Sequence, residues 1–511
     1  MDIQRSAGIL LHPTSLPGKF GIGDLGEQAF NFINFLEASG QTLWQVFPLG
    51  PTGYGDSPYQ CFSAFAGNPL LISPEVLAEE GYLKKEDLEK VPKFDPINID
   101  FGSLIDYKNS LLRKAFANFL AKKNPETEKT FFAFCEKHNE WLDDFSLFMG
   151  VKNFHGGNLW TTWDKEVALR KGNAVEKWKE KVSGEIQYQK FLQFNFFKQW
   201  QKVKDYANQK GIEIIGDLPI FIAYDSADLW ANKNLFTVDE GGKLLTCAGV
   251  PPDYFSPTGQ LWGNPLYRWD EMEKDDFLWW RKRISSLLEL IDIVRIDHFR
   301  GFEAYWEIPG DALTAENGKW IKAPGVKFFT SVKRHLGDVP IIAEDLGVIT
   351  KEVNALRDKF DFPGIKILQF AFGTGMESKF LPHNFIPNCV VHTGSHDNDT
   401  TRGYFEKAKK YKGKDDIYEF TQKYLGYYGN DITFQLIKTA YASVAKIVVI
   451  PMQDMLNLGN EARMNFPGTL GGNWCWRFTW DQVPYDLAGR YKEMCVMYQR
   501  PPMPEKVESE K

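Results

Sequence analysis

Cysteine is scarce in this chain and its few copies are scattered, at positions 61, 135, 247, 389, 475 and 495 of 511. No CxxC pair occurs, so the spacing fits neither a zinc site nor a disulfide framework, and reduced thiols are the plain reading. No apolar run approaches the roughly 18 residues of a membrane span. The opening segment MDIQRSAGILLHPTSLPG has too short an apolar stretch and too early a proline for a signal peptide. A cytoplasmic protein without membrane contact is the resulting expectation. Basic runs are also missing. The densest, Lys407–Lys414, reads as a solvated helix end, and the net charge of -7 argues against nucleic acid as a partner.

Aromatics, in contrast, make up 15% of the residues, with 16 Trp and 40 Phe. Most must be core, yet the surplus also suits a groove that stacks on sugar rings. Carboxylates end short apolar runs at three places: Asp297 in IVRIDH, Glu344 in IIAEDLG and Asp397 in VVHTGSHDN. A buried strand ending in a charge needs a cleft to solvate or use it. Glycoside chemistry uses such a face, with one carboxylate attacking and another protonating the leaving oxygen.

Eight apolar runs read as buried parallel strands: Gly8–His12, Leu43–Pro48, Glu213–Asp217, Asp292–Asp297, Pro340–Glu344, Ile365–Phe370, Cys389–His392 and Lys446–Pro451. Helical stripes fall between them. Ala29, Phe32, Ile33 and Leu36 share one face with Gly40 placed to stop the helix, and Tyr188, Phe191, Leu192, Trp200 and Val203 form a longer one. Thr350 is placed to cap a third helix carrying Val353, Leu356 and Phe360. Eight strands alternating with helices describe a (β/α)8 TIM barrel, an α/β fold whose chemistry sits at the carboxyl ends of the strands.

Uneven spacing locates the insertions. About 165 residues separate the second and third strands, far more than one loop and helix need. The expected layout is strands one and two in 1–69, an inserted, mainly helical subdomain in 70–185, and the rest of the barrel in 186–500. A Pro/Gly/aromatic insertion at about 225–275 then covers substrate, and 501–511 is a polar tail. No C-terminal β-sandwich fits after the last strand.

Gly21-Ile-Gly23-Asp-Leu-Gly26 matches GxGxxG, but the next strand, LWQVFPLGP, brings no acid for a ribose. A tight turn over the barrel mouth explains these glycines better than a nicotinamide site, and no cofactor is expected. In IDIVRIDH, alternation puts Arg295 and Asp297 on one face, where the cation favours the ionised carboxylate; a structural Arg–Asp pair is the alternative. Glu344 gains a raised pKa if desolvated, as a general acid requires, while Asp345 faces the other way and caps or pairs. Helix capping suits Asp399 more than Asp397. His298 and His396 lack HxH or HxxxH spacing, so sugar contacts suit them better than a metal, and none is expected.

These segments resemble glycoside hydrolase family 77, the 4-alpha-glucanotransferases of amylomaltase or disproportionating-enzyme type, in the alpha-amylase clan. The resemblance runs through GILLHPTSLPG, FGIGDLG, PTGYGDSPYQCFSAFAGNP, IGDLPIFIA, GVPPDYFSPTGQLWGNPLY, VRIDHFRGF, IIAEDLG, TGSHDNDT and GTLGGNWCWR. It implies that Asp297 is the nucleophile, Glu344 the acid/base and Asp397 the transition-state stabiliser. It further implies substrate contacts from Ser57, Tyr59, Asp217, Asn264, Arg295, His298, Phe370 and His396. Tyr254, Phe255, Gln260 and Trp262 would arch over the groove, with Asn473 and Trp474 facing it. The implied activity passes an alpha-1,4-glucan segment to glucose or a malto-oligosaccharide by retaining double displacement. An alpha-glucan hydrolase with the same carboxylates, and a non-catalytic glucan-binding protein, are the alternatives.

Overall fold

In a computed structural model, residues 4–252, 256–373, 375–410, 416–469 and 471–500 are described. Eight parallel strands close a barrel: β1 (Ser6–Leu10), β2 (Leu43–Gln45), β3 (Glu213–Pro219), β4 (Ile293–Asp297), β5 (Ile341–Ala343), β6 (Gly364–Ile367), β7 (Cys389–His392) and β8 (Ile447–Pro451). Each pairs with its sequence neighbours, and β8 returns to β1 with Ser6 opposite Ile447. Every expected strand is present, trimmed or shifted by a few residues. The first starts earlier, at Ser6, and the sixth breaks into a 3₁₀ turn at Leu368–Phe370. The strands are buried because helices cover the outside and side chains fill the inside.

The helix patterns also hold. Helix Glu27–Ala38 buries Ala29, Phe32, Ile33 and Leu36, and Gly40 follows with φ +70°. Helix Lys351–Lys359 starts at Thr350, whose hydroxyl accepts from the Val353 amide. Between β2 and β3 the chain runs through helices that include Phe101–Lys122, Pro125–Lys137 and Asn139–Phe154 before the long helix Ser183–Gln209. That last helix serves two cores. Its first half sets Tyr188 and Phe191 against Phe116, and Phe194 against Phe131. Its second half lays Trp200 on Trp44 of β2, with the indole N–H donating to the Leu290 carbonyl at 2.7 Å.

A four-stranded antiparallel sheet, in the order 260–265, 246–250, 304–309, 319–322, stands beside the barrel. The sequence reading did not include it, because its strands are short, half-exposed and mixed in polarity. The glycines of the GxGxxG stretch serve close packing. Gly21 has φ +82°, and a Cβ on Gly23 would lie 2.0 Å from the Pro13 carbonyl oxygen. Among the described residues no strand follows β8, and no helix is long and apolar enough to cross a membrane.

Candidate active site

Strand register sets the floor of the site. Asp217 on β3 lies opposite Arg295 on β4, and Arg295 lies opposite Ile342 on β5. Two residues further along, on the same inward face, come Asp297 and Glu344, so these two carboxylates are level on neighbouring strands. Arg295 Nη1 donates to Asp217 Oδ1 and Oδ2 at 2.6 and 2.5 Å, and to Asp297 Oδ1 at 3.0 Å. One guanidinium therefore ties two carboxylates on two strands together. The sequence reading paired Arg295 with Asp297; the structure adds Asp217 as the closer partner. Tyr59 completes this layer, its hydroxyl donating to Asp217 Oδ2 at 2.6 Å.

Glu344 is 8% exposed, whereas the Asp297 side chain is 29% exposed and that of Asp397 49%. The Glu344 carboxyl accepts from the His298 amide at Oε2, 2.7 Å, and from the Leu346 amide at Oε1, 2.8 Å. Burial pushes this carboxyl up to about 8 and the charge of Asp297 adds to the push; Arg295 and the two amides oppose it with less effect. Burial likewise lifts Asp217 from the ordinary carboxylate range, with the Arg295 guanidinium acting against it. His298 sits at φ +52°, in the left-handed region, a conformation that costs a non-glycine residue energy and that concentrates at functional sites. That twist goes with the amide contact to Glu344. Burial brings the His298 imidazole down to about 4, so the ring is neutral at neutral pH.

The remaining residues form a rim. His396 stacks on Tyr59 at 5.0 Å between ring centres, and Trp474 lies against both at 5.7 Å. Trp262 meets His298 edge to face at 4.9 Å, its indole N–H donating to Gln260 at 3.1 Å. An open groove of about 480 Å³ runs between three loops, lined by Ser57, Phe62, Trp262, Phe466, Asn473 and Trp474 among others. Asn473 spends its amide inside its own loop, on Phe466 and Thr469, and the buried Asn264 donates to the Ile222 carbonyl. Ser57 accepts from the Tyr59 amide at 3.2 Å, and Phe370 packs edge to face on Phe380. Tyr254 and Phe255 lie outside the described residues.

Asp345 faces away from the barrel interior, pairing with Arg357 and accepting from the Ile365 amide at 2.7 Å. Asp399 binds Lys407 and Asn460. The Thr401 amide, at the start of the following helix, goes instead to Asp454, a residue the sequence reading passed over. Asn465 and Arg463 were also passed over. Asn465 Nδ2 donates to Asp397 Oδ1 at 2.6 Å, and Arg463 Nη2 donates to the Asp397 carbonyl at 2.7 Å. Among the described residues no group of three or more His, Cys, Asp or Glu side chains is arranged to hold a metal ion.

The sequence profile described as 4-alpha-glucanotransferase matches residues 11–482. A 4-alpha-glucanotransferase of Synechocystis is 50% identical over 501 residues, covering 97% of this chain and 98% of its own length. Its counterpart in Thermus thermophilus is 48% identical over 508 residues, covering 98% of this chain and 100% of its own. Among solved structures, the amylomaltase from Streptococcus agalactiae in complex with acarbose superposes with a TM-score of 0.94 at 40% identity. It covers 98% of this chain and 100% of that one. The amylomaltase from Corynebacterium glutamicum, at 17% identity and a TM-score of 0.77, shares the fold.

Proposed function

This chain belongs to the 4-alpha-glucanotransferase family, and from that premise we propose how its side chains divide the reaction. The reaction transfers a segment of an alpha-1,4-glucan to the 4-hydroxyl of an acceptor sugar. Glu344 gives its proton to the departing glycosidic oxygen while Asp297 attacks the anomeric carbon, so the reducing-end fragment leaves and a glycosyl ester forms on Asp297. Glu344, now a carboxylate, takes the proton of the incoming 4-hydroxyl. That oxygen bonds to the anomeric carbon, the Asp297 ester breaks, and one alpha-1,4 bond has replaced another. Asp397 holds ring hydroxyls and favours the oxocarbenium-like state.

The observation that carries this assignment is the level placement of Asp297 and Glu344 on adjacent strands. Neighbouring strands lie about 4.8 Å apart, so level side chains on them start within reach of the roughly 5–5.5 Å carboxyl separation of a retaining pair. The electrostatics divide the roles. Arg295 bonds the Asp297 carboxylate from below, and Glu344 keeps its proton at neutral pH through burial.

Tyr59, Asp217, Arg295, His298 and His396 form the wall that meets the sugar bound at the cleavage point. Ser57, Trp262 and Trp474 extend it along the groove, with Gln260 beside Trp262. The Streptococcus agalactiae amylomaltase in complex with acarbose supports an alpha-glucan as the substrate class. A product ladder from maltotriose alone tests the reading. Oligomers longer than the substrate, with glucose as co-product, are expected. Glucose and maltose without longer chains would make the protein a hydrolase.

A further inference from the structure

We propose that Asn465 is the positioning residue for Asp397, and that the loop carrying it makes the set of Asp397 depend on the groove wall. The inference rests on the assignment of Asp397 as the transition-state stabiliser. Asp397 differs from the other two carboxylates in how it is held. It lies on a turn beyond β7, its side chain is half exposed, and no strand partner fixes it. An exposed carboxylate turns freely about its own bonds unless something binds it.

What binds it comes from 68 residues further along the chain. Asn465 Nδ2 donates to Oδ1 at 2.6 Å, while His396 Nε2 stands 3.6 Å from Oδ2. The backbone is clamped at the same place. The Asn465 amide donates to the His396 carbonyl at 3.1 Å, and Arg463 donates to both the Asp397 and the Asn465 carbonyls. Three hydrogen bonds thus join the 395–398 turn to one short segment, and a fourth, from Arg463 Nε to the Asn465 carbonyl, fixes that segment's own course. The Asn465 bond is the one that selects an orientation of the carboxylate.

The segment is also groove wall. Phe466, next to Asn465, is 52% exposed and lies under the Arg463 guanidinium at 4.2 Å; its amide donates to Asn473. A sugar packing on Phe466 and Trp474 therefore touches the element that orients Asp397. Stabilisation of the developing charge needs Asp397 in one place, and a shift of about 1 Å can cost on the order of 10²-fold in rate.

Two substitutions separate positioning from mere structure. Asn465→Ala deletes the donor. It is expected to lower kcat by about 10- to 100-fold, with KM for maltotriose within about threefold and the pH profile keeping its shape. Asn465→Asp keeps the shape and replaces the amide by a second carboxyl against Asp397. While that pair shares one proton, the new carboxyl still donates and activity persists. When the proton leaves, the hydrogen bond becomes a repulsion between two like charges. The alkaline limb of the kcat profile should therefore move down by at least one pH unit in Asn465→Asp and stay in place in Asn465→Ala. The isosteric Asn465→Asp carries the test if the alanine variant loses its fold, as judged by thermal unfolding. An unmoved alkaline limb in Asn465→Asp, or a kcat within twofold of the parent in a folded Asn465→Ala, would overturn the proposal.

Discussion

The floor of the proposed active site and its rim are built in different ways. On the floor, Asp217, Arg295, Asp297 and Glu344 sit on or directly after barrel strands, in positions set by register, and one guanidinium joins two of them. On the rim, His396, Asp397, Phe466 and Trp474 sit on loops and Trp262 on an edge strand of the antiparallel sheet, and their order comes from ring contacts and side-chain hydrogen bonds between distant segments. The contrast divides the labour. Bond cleavage needs charges held to a fraction of an ångström, which strands supply, while a long and variable chain needs an open surface, which loops supply. Damage to the floor should therefore abolish chemistry or stability, and damage to the rim away from Asp397 and its positioning contacts should change what is transferred and how well.

The largest effect is expected at Asp297. Asp297→Asn keeps the shape and loses the attacking charge, so turnover of maltotriose should fall by roughly 10⁴-fold or more. Binding of malto-oligosaccharides, followed by calorimetry, should persist. Retention of more than a few per cent of activity would give Asp297 another role. Asp217→Ala strikes the same layer through stability. It leaves Arg295 buried with only the more distant contact to Asp297, and removing one partner of a buried pair costs about 3–5 kcal/mol. Urea unfolding measures the loss. A change below about 1 kcal/mol would mean that Arg295 does not depend on Asp217 for its burial.

Glu344 tests the floor through pH. Its carboxyl is raised by burial from an ordinary 4.5 to about 8, so glycosidic cleavage should fade as pH rises through about 8, where the acid loses its proton. The sign for stability follows from the same shift. A group with a raised folded-state value stabilises the fold fully below its unfolded value, and that contribution is lost as pH rises through the folded value. Glu344→Gln never carries the charge, so it should gain on the parent in unfolding free energy, measured with urea, between pH 5 and pH 9, by roughly a few kcal/mol. Equal pH dependence in the two proteins would show that Glu344 does not titrate there. The rim gives the smallest effect. Trp262→Ala removes a stacking surface worth about 0.5–1.5 kcal/mol. Acceptor KM should rise by up to about tenfold and the ratio of glucose release to oligomer growth should rise with it. An unchanged ratio would make Trp262 scaffold.

The same contrast explains what could be read from the sequence. The floor was legible because a buried parallel strand is a short apolar run, and an acid at its end stands out; Asp297 and Glu344 emerged in that way. The helix faces at Ala29–Leu36 and Tyr188–Val203 were legible from their period. The sharing of Arg295 between Asp217 and Asp297 was not, since register between β3 and β4 joins residues 78 apart. The antiparallel sheet beside the barrel escaped because Lys319–Lys322 is largely exposed, Gln260–Pro265 is only partly buried, and neither carries a clean alternation. Asn465 escaped for a plainer reason. An amide in a Pro/Gly loop gives no local sign that its partner lies 68 residues earlier.

The central claim is that Asp297 becomes the glycosylated residue while Glu344 moves the proton. It can be tested directly with an alpha-maltosyl fluoride and the Glu344→Gln variant. Fluoride leaves without an acid, so the ester forms, and without a base the second step stalls. Digestion and mass spectrometry should then find the maltosyl group on the peptide that contains Asp297. A label on any other residue, or release of a beta-configured product with no label at all, would contradict the account.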